Sequence, residues 1–130
     1  MVDACPRCEA PRVALAVPDS LAEYADSDAL ACCTRCLRAD ACDLAAVDGP
    51  PAFEAIHDRF PSGDGGVALV LLLQQLDSLA LNRASIESLV AFLDSNGVDL
   101  FLTLDRLLAA PDIEPYLDLQ RRRDQLESLL

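Results

Sequence analysis

Along the second half of the chain, apolar residues recur at spacings of three and four. Ile86, Leu89, Val90 and Leu93 share one face of a helix that Ser85 is placed to cap and Asn96–Gly97 to end. Leu100, Phe101, Leu104, Leu107 and Leu108 form a second stripe, stopped before Pro111. Residues 115–130 predict a terminal helix with Leu119, Leu126 and Leu130 inward. From Val67 to about Leu81 the chain is apolar on nearly all sides, which predicts a central helix covered by others. Ahead of it, Phe53, Ile56 and Phe60 have near-helical spacing within 51–60, ended by Pro61, and Pro-Ser-Gly-Asp-Gly-Gly at 61–66 reads as a loop.

The first third has a different rhythm. RVALAVP (12–18) and DALACC (28–33) are β-prone and predict partner strands, with 41–47 as a third. Residues 19–26 between the first two predict a short helical turn capped by Asp19 or Ser20. The fold class expected is α+β: a small N-terminal β ribbon over 1–47, then an all-α region of four to five helices over 48–130. The turn-forming DGPP at 48–51 joins them.

The ribbon carries cysteines where its turns should be. Cys5 and Cys8 make one C-x-x-C, Cys33 and Cys36 a second, and 24 residues separate the pairs. A two-residue interval lets both thiolates of a pair face one ion, and two pairs supply a closed tetrahedral set. One structural Zn²⁺ on Cys5, Cys8, Cys33 and Cys36 is therefore the expected cofactor. Cys32 competes with Cys33, but Cys32 and Cys36 would form a looser C-x3-C. Adjacent side chains of a strand point to opposite faces, so Cys33 is expected at the metal and Cys32 in packing. Cys42 is expected to be a buried small residue. Zinc knuckles often carry Gly directly after the second cysteine; Glu9 and Leu37 stand there, which puts the turn geometry in question. Arg7 and Arg35 occupy matching positions inside the two knuckles, with Arg38 just beyond, where cations would offset thiolate charge.

Composition changes the setting rather than the fold. The chain has 130 residues, 52% hydrophobic and 25% charged, enough for a core. Its net charge is −12; the acids are 16 Asp and 6 Glu, and all ten basic residues are Arg. At molar salt the Debye length falls to about 3 Å, so such a surface repels itself little and short carboxylates keep it hydrated. A halophilic origin is expected. The N-terminus has no signal-peptide pattern, and the longest apolar run, 66–73, is far short of the roughly 20 residues of a membrane span. A cytoplasmic location without membrane attachment is expected, where cysteines serve as ligands or redox thiols rather than disulfides.

Catalytic constellations are scarce. His57 is the only histidine and reads as a surface or helix-end residue; HExxH, P-loop, GxGxxG and G-x-S-x-G motifs are absent. No catalytic residue is nominated and no enzyme is expected. Gln74, Gln75, Asp77, Asn82 and Arg83 could line a polar pocket, although a solvated helix edge is the plainer expectation.

The stretches CPRCEAPRVALAVPDSL, CTRCLR, GVALVLLLQQLDSLALNRASIESLV, VDLFLTLDRL and LDLQRRRDQLESLL resemble a family of short haloarchaeal proteins that pair an N-terminal zinc ribbon with a helical C-terminal region. The resemblance spans most of the chain, and LDSLALNRASIESL is its most distinctive part. It implies a halophilic archaeal origin and zinc at Cys5, Cys8, Cys33 and Cys36, and it brings no activity.

The function expected is a non-catalytic protein-interaction or adaptor module, with a protein partner or a second copy bound. A nucleic-acid-associated ribbon factor is the alternative. It is disfavoured by charge, since residues 1–47 hold eight acids against Arg7, Arg12, Arg35 and Arg38, and by the loss of phosphate-driven affinity in salt. Arg121, Arg122 and Arg123 fall among Asp118, Asp124 and Glu127, which predicts a self-paired face. A C-x-x-C redox protein is a weaker alternative, because CPRC precedes a strand instead of opening a helix after one.

Overall fold

The structure is a computed structural model that describes residues 2–130. Three strands, β1 (Arg12–Ala16), β2 (Ala29–Cys33) and β3 (Ala39–Ala41), form one antiparallel sheet in the order β1-β2-β3. Four helices follow: α1 (Gly63–Gln75), α2 (Arg83–Ser95), α3 (Leu100–Ala109) and α4 (Leu119–Leu129). This is the expected α+β architecture.

Register decides which face of the ribbon is apolar. Val13 pairs with Cys32 and Leu15 with Leu30, so these four side chains share one face and enter the main core. Arg12 pairs with Cys33 on the other face. The ribbon's apolar face meets α1, which is buried from Gly65 to Leu73. Leu37 of the ribbon and Phe53, Leu72, Ile86, Leu104 and Leu126 of the later chain belong to one buried cluster. Ribbon and helices thus share a core. Gln74 ties them further: its Nε2 donates to Leu37 O at 2.8 Å and its Oε1 accepts from Ala39 N at 2.9 Å.

Several expected boundaries move. The third strand lies at 39–41; residues 44–46 instead form a 3₁₀ turn whose Ala45 N–H is capped by Asp43. The 3₁₀ turn Asp19–Tyr24 begins after Pro18 with no side-chain cap from Asp19 or Ser20. Segment 51–60 is not a helix. It has one 3₁₀ turn, Phe53–Ala55, and its apolar residues are buried in an irregular strap whose Phe53 and Phe60 rings stack at 5.2 Å.

Residues 63–66 of the expected loop 61–66 instead start α1, where packing overrides the poor helix propensity of glycine. A Cβ on Gly66 would collide with the Phe53 ring and with Pro61 O, so the strap approaches the helix at the one residue type that admits it. α1 ends at Gln75, short of the expected Leu81, and Leu81 lies exposed in the turn before α2. α2 begins at Arg83, so Ser85 lies inside its first turn and is not its cap; Asn96 and Gly97 do end it. α4 begins four residues later than expected, with Asp118 capping Arg121 N, and Leu130 is exposed rather than inward.

Candidate metal centre

Both C-x-x-C pairs fold into the same turn. In the first, Cys5 N donates to Ala10 O at 2.9 Å and Glu9 N to Cys5 O at 2.8 Å. In the second, Cys33 N donates to Arg38 O at 2.9 Å and Leu37 N to Cys33 O at 3.2 Å. The residue after the second cysteine is left-handed in both: Glu9 at φ 65° and Leu37 at φ 67° are the positive-φ non-glycine residues among those described. The glycine that the sequence lacks is thus answered by backbone conformation. The left-handed step lets the chain leave the turn and continue into a strand.

These turns bring Cys5, Cys8, Cys33 and Cys36 together. Their four Sγ atoms lie within 4.8 Å of one another and could hold a metal ion. Cys5 Sγ is 3.8 Å from Cys36 Sγ, and Cys8 Sγ is 3.3 Å from Cys33 Sγ. Cys5, Cys33 and Cys36 are buried, and Cys8 is partly exposed. Backbone N–H groups of Arg35 and Cys36 both donate to Cys33 Sγ at 3.3 Å.

Ionisation is divided unevenly among the thiols. Burial opposes charge on Cys5, but the backbone N–H groups of Arg7 and Cys8 and the thiols of Cys33 and Cys36 outweigh it and bring Cys5 down to about 7. Burial pushes Cys33 up to about 12, against its two backbone donors, and it also raises Cys36. A cation at the centre would oppose this burial cost by stabilising thiolates directly.

The cysteine choice follows the strand. Cys33 faces the thiol cluster while Cys32 is wholly buried in the main core, its thiol directed toward Cys33 O and Leu37 O at 3.7 Å each. Burial, and next the neighbouring thiolates, drive the Cys32 pKa far up, so it stays a neutral packing group. Cys42 is only half-buried, on the strand edge beyond β3, rather than fully buried.

The arginines divide differently from expectation. Arg7 and Arg35 are exposed, and the Arg35 backbone, not its guanidinium, meets the sulfur. Arg38 pairs with Asp40 at 3.3 Å. Arg122 reaches Asp77, and Arg123 reaches Asp105, Asp124 and Glu127 while lying over the Phe101 ring. His57 Nδ1 accepts from Arg59 N at 3.0 Å, a local turn contact. Gln74, Gln75 and Asn82 do line a polar cleft of about 540 Å³ between ribbon and helices. Asp77 and Arg83 turn away from it into ion pairs with Arg122 and Glu87.

Two contributors lay outside the sequence reading. Glu114 N donates to Arg35 O and Tyr116 N to Cys36 O, each at 2.9 Å, and the Tyr116 ring packs on the thiol cluster. Burial, then the Asp77 carboxylate, pushes the Tyr116 hydroxyl up to about 12, and that hydroxyl donates to Leu73 O at 3.3 Å. A tyrosine between two prolines and an N-capping Asp was the available signal: an aromatic residue in a fixed connection, with no helical partner of its own.

The molecule is therefore an α+β protein whose three-stranded ribbon carries a four-thiol site able to hold a metal, roofed by the connection between its last two helices. The chain belongs to DUF6276, a family of unknown function, which matches residues 4–130. No curated protein and no solved structure gives a match.

Proposed function

We propose that Cys5, Cys8, Cys33 and Cys36 bind one structural zinc ion, and that the stapled protein is a non-catalytic protein-interaction module of a halophilic archaeal cytoplasm. The observation that carries the metal is the sulfur geometry. Zinc with Zn–S of about 2.3 Å in a regular tetrahedron sets sulfurs about 3.8 Å apart. The separations of 3.3 Å and 3.8 Å, with all four sulfurs inside 4.8 Å, bracket that value. An all-thiolate set suits zinc among the common divalent ions.

When bound, zinc supplies a cross-link between the chain near residue 5 and the chain near residue 36. Four protein ligands fill its coordination shell, which favours a structural role over hydrolysis. The salt-adapted setting is supported by the net charge of −12 and by arginine as the only cation. The adaptor role is supported by this rigid staple on a body of net charge −12, with Arg122 and Arg123 engaged by carboxylates, which disfavours nucleic acid as the partner.

Native mass spectrometry of the zinc-loaded chain tests the metal: one zinc per chain is expected, and none after Cys33→Ser. The adaptor role is tested by affinity capture in molar KCl with light scattering. A reproducible protein partner or a dimer is expected; a monomer that captures nothing refutes that part.

A further inference from the structure

The two peptide groups that shape the second knuckle each have two ends in use. A peptide group is planar, so its C=O and N–H point in opposite directions and turn together. In the group joining Arg35 to Cys36, the N–H is aimed at Cys33 Sγ at 3.3 Å and the C=O accepts from Glu114 N at 2.9 Å. In the group joining Cys36 to Leu37, the N–H donates to Cys33 O at 3.2 Å and the C=O accepts from Tyr116 N at 2.9 Å. The first plate thus faces a candidate ligand sulfur and the second closes the knuckle turn, while both meet the connection to α4 on their other side.

That connection leans on the knuckle heavily. Ile113 and Leu117 are buried on either side of Tyr116, which packs against the cluster of Cys5, Cys33 and Cys36. Leu119 opens α4 immediately afterwards. α4 is also tied by Leu126 in the core with Leu129 packed against it, by Arg122 Nη2 donating to Asp77 O at 2.9 Å, by Arg123 over the Phe101 ring, and by the pairs of Arg122 with Asp77 and Arg123 with Asp105, whose carboxylates are exposed. Exposed pairs of that kind contribute about 0–1 kcal/mol each.

We infer that metal occupancy of the four-thiol site controls the docking of residues 113–118 and, through them, the seating of α4. With a cation at the centre, Cys33 and Cys36 are both tied to it, so the knuckle between them is held at both ends and Arg35 O and Cys36 O are fixed where Glu114 N and Tyr116 N meet them. Without the cation the two cysteines lose their common partner, the knuckle is released to turn, and the acceptors for Glu114 N and Tyr116 N move. The connection then undocks and uncovers Ile113, Tyr116, Leu117 and Leu119 as an apolar surface. This rests on the site holding a metal. Coupling is reciprocal, so a damaged connection must weaken metal binding by the same factor.

The test uses the full chain with Zn²⁺ as the probe. Zinc content is measured first, and amide hydrogen exchange is then compared for the zinc-loaded and chelator-treated protein in molar KCl. Protection of the Glu114 and Tyr116 amides and of α4 is expected to fall about ten-fold or more while α1 and α2 keep theirs, as for a local opening unit. In chelator competition, Tyr116→Ala is expected to weaken zinc binding about five-fold or more, the lower end of ordinary coupling between sites. Tyr116→Phe, which keeps the ring, is expected to stay near the parent value. Zinc bound with unchanged protection over 113–130 on its removal, or a uniform loss across all helices, overturns the inference and leaves the zinc site standing. No zinc uptake overturns both. The exchange comparison on the unsubstituted chain decides the matter even where Tyr116→Ala does not fold.

Discussion

Replacing Glu9 by glycine should stabilise the protein. Glu9 is exposed, yet its φ is 65°, in the region that places Cβ against the following carbonyl. That conformation costs a side-chain-bearing residue about 1–2 kcal/mol. Glycine removes the cost but has more freedom to lose on folding, about 0.5–1 kcal/mol relative to alanine. The Glu9 N–H bond to Cys5 O at 2.8 Å is a main-chain contact and survives the change. The net gain is about 0.5–1 kcal/mol, or about 2–4 °C in Tm for a chain of this size. Removing a carboxylate beside a thiolate site could stabilise as well, so Glu9→Ala is the control: it loses the charge and keeps the backbone cost. Thermal unfolding of the three proteins at saturating zinc and constant KCl isolates the conformational part as the Gly–Ala difference. A glycine variant no more stable than the alanine variant would refute the reading that the first knuckle requires a left-handed residue at this position.

Other substitutions probe the ribbon and the strap. Cys33→Ser should abolish zinc binding in native mass spectrometry, whereas Cys32→Ala should keep one zinc and lose only packing, about 1 kcal/mol in urea unfolding. Gln74→Leu removes the partners of Leu37 O and Ala39 N and should cost about 1–3 kcal/mol. Gln75→Leu should cost less, because Gln75 Oε1 is already buried with no protein partner. Gly66→Ala drives a methyl into the Phe53 ring and Pro61 O and should destabilise by about 1–3 kcal/mol. Gly65→Ala, facing Val98 Cγ2 at 3.2 Å, should be the milder of the two. Gly65→Ala as costly as Gly66→Ala would place the strap elsewhere.

The parts of the fold legible in the sequence are those with a period. Leu100, Leu104 and Leu107 repeat at helical spacing and lie buried on one face of α3. RVALA alternates, and its Val13 and Leu15 point inward from β1. The choice of Cys33 over Cys32 comes from the two-residue interval to Cys36, with the same alternation turning Cys32 to the other face, and Cys33 is the one whose thiol lies with Cys5, Cys8 and Cys36. Illegible were contacts set by distant chain. No local rule makes a helix of Gly-Asp-Gly-Gly; Gly63 enters α1 at φ 59°, and Gly66 lies where the Phe53 ring and Pro61 O leave no room for a Cβ. The mirror error is 51–60, where the apolar spacing is helical but Phe53, Ile56 and Phe60 are buried in the core from an irregular strap. α4 was expected too early for a different reason. Asp118 offered a capping signal three residues before Arg121, but Pro115 offered a stop-or-start signal first, and the residues between them serve the thiol site instead of a helix.

Leu37 concentrates the logic of the whole molecule. Its position in the knuckle asks for glycine, since its φ is 67°. Its side chain is fully buried in the main core and asks for a large apolar group. Its carbonyl accepts from Gln74 of α1, and its N–H closes the turn on Cys33. A glycine here would relax the turn by about 1–2 kcal/mol. It would also remove a buried leucine worth about 2–5 kcal/mol, so the core term wins and the strained leucine is the better residue. At Glu9 no core stands behind the turn, and the balance reverses. The two knuckles share one backbone but not one role: the first supplies ligands, while the second also fastens them to the helices. A metal held at this site would therefore act on the body of the protein through the second knuckle, at Leu37 on one side and at Glu114 and Tyr116 on the other.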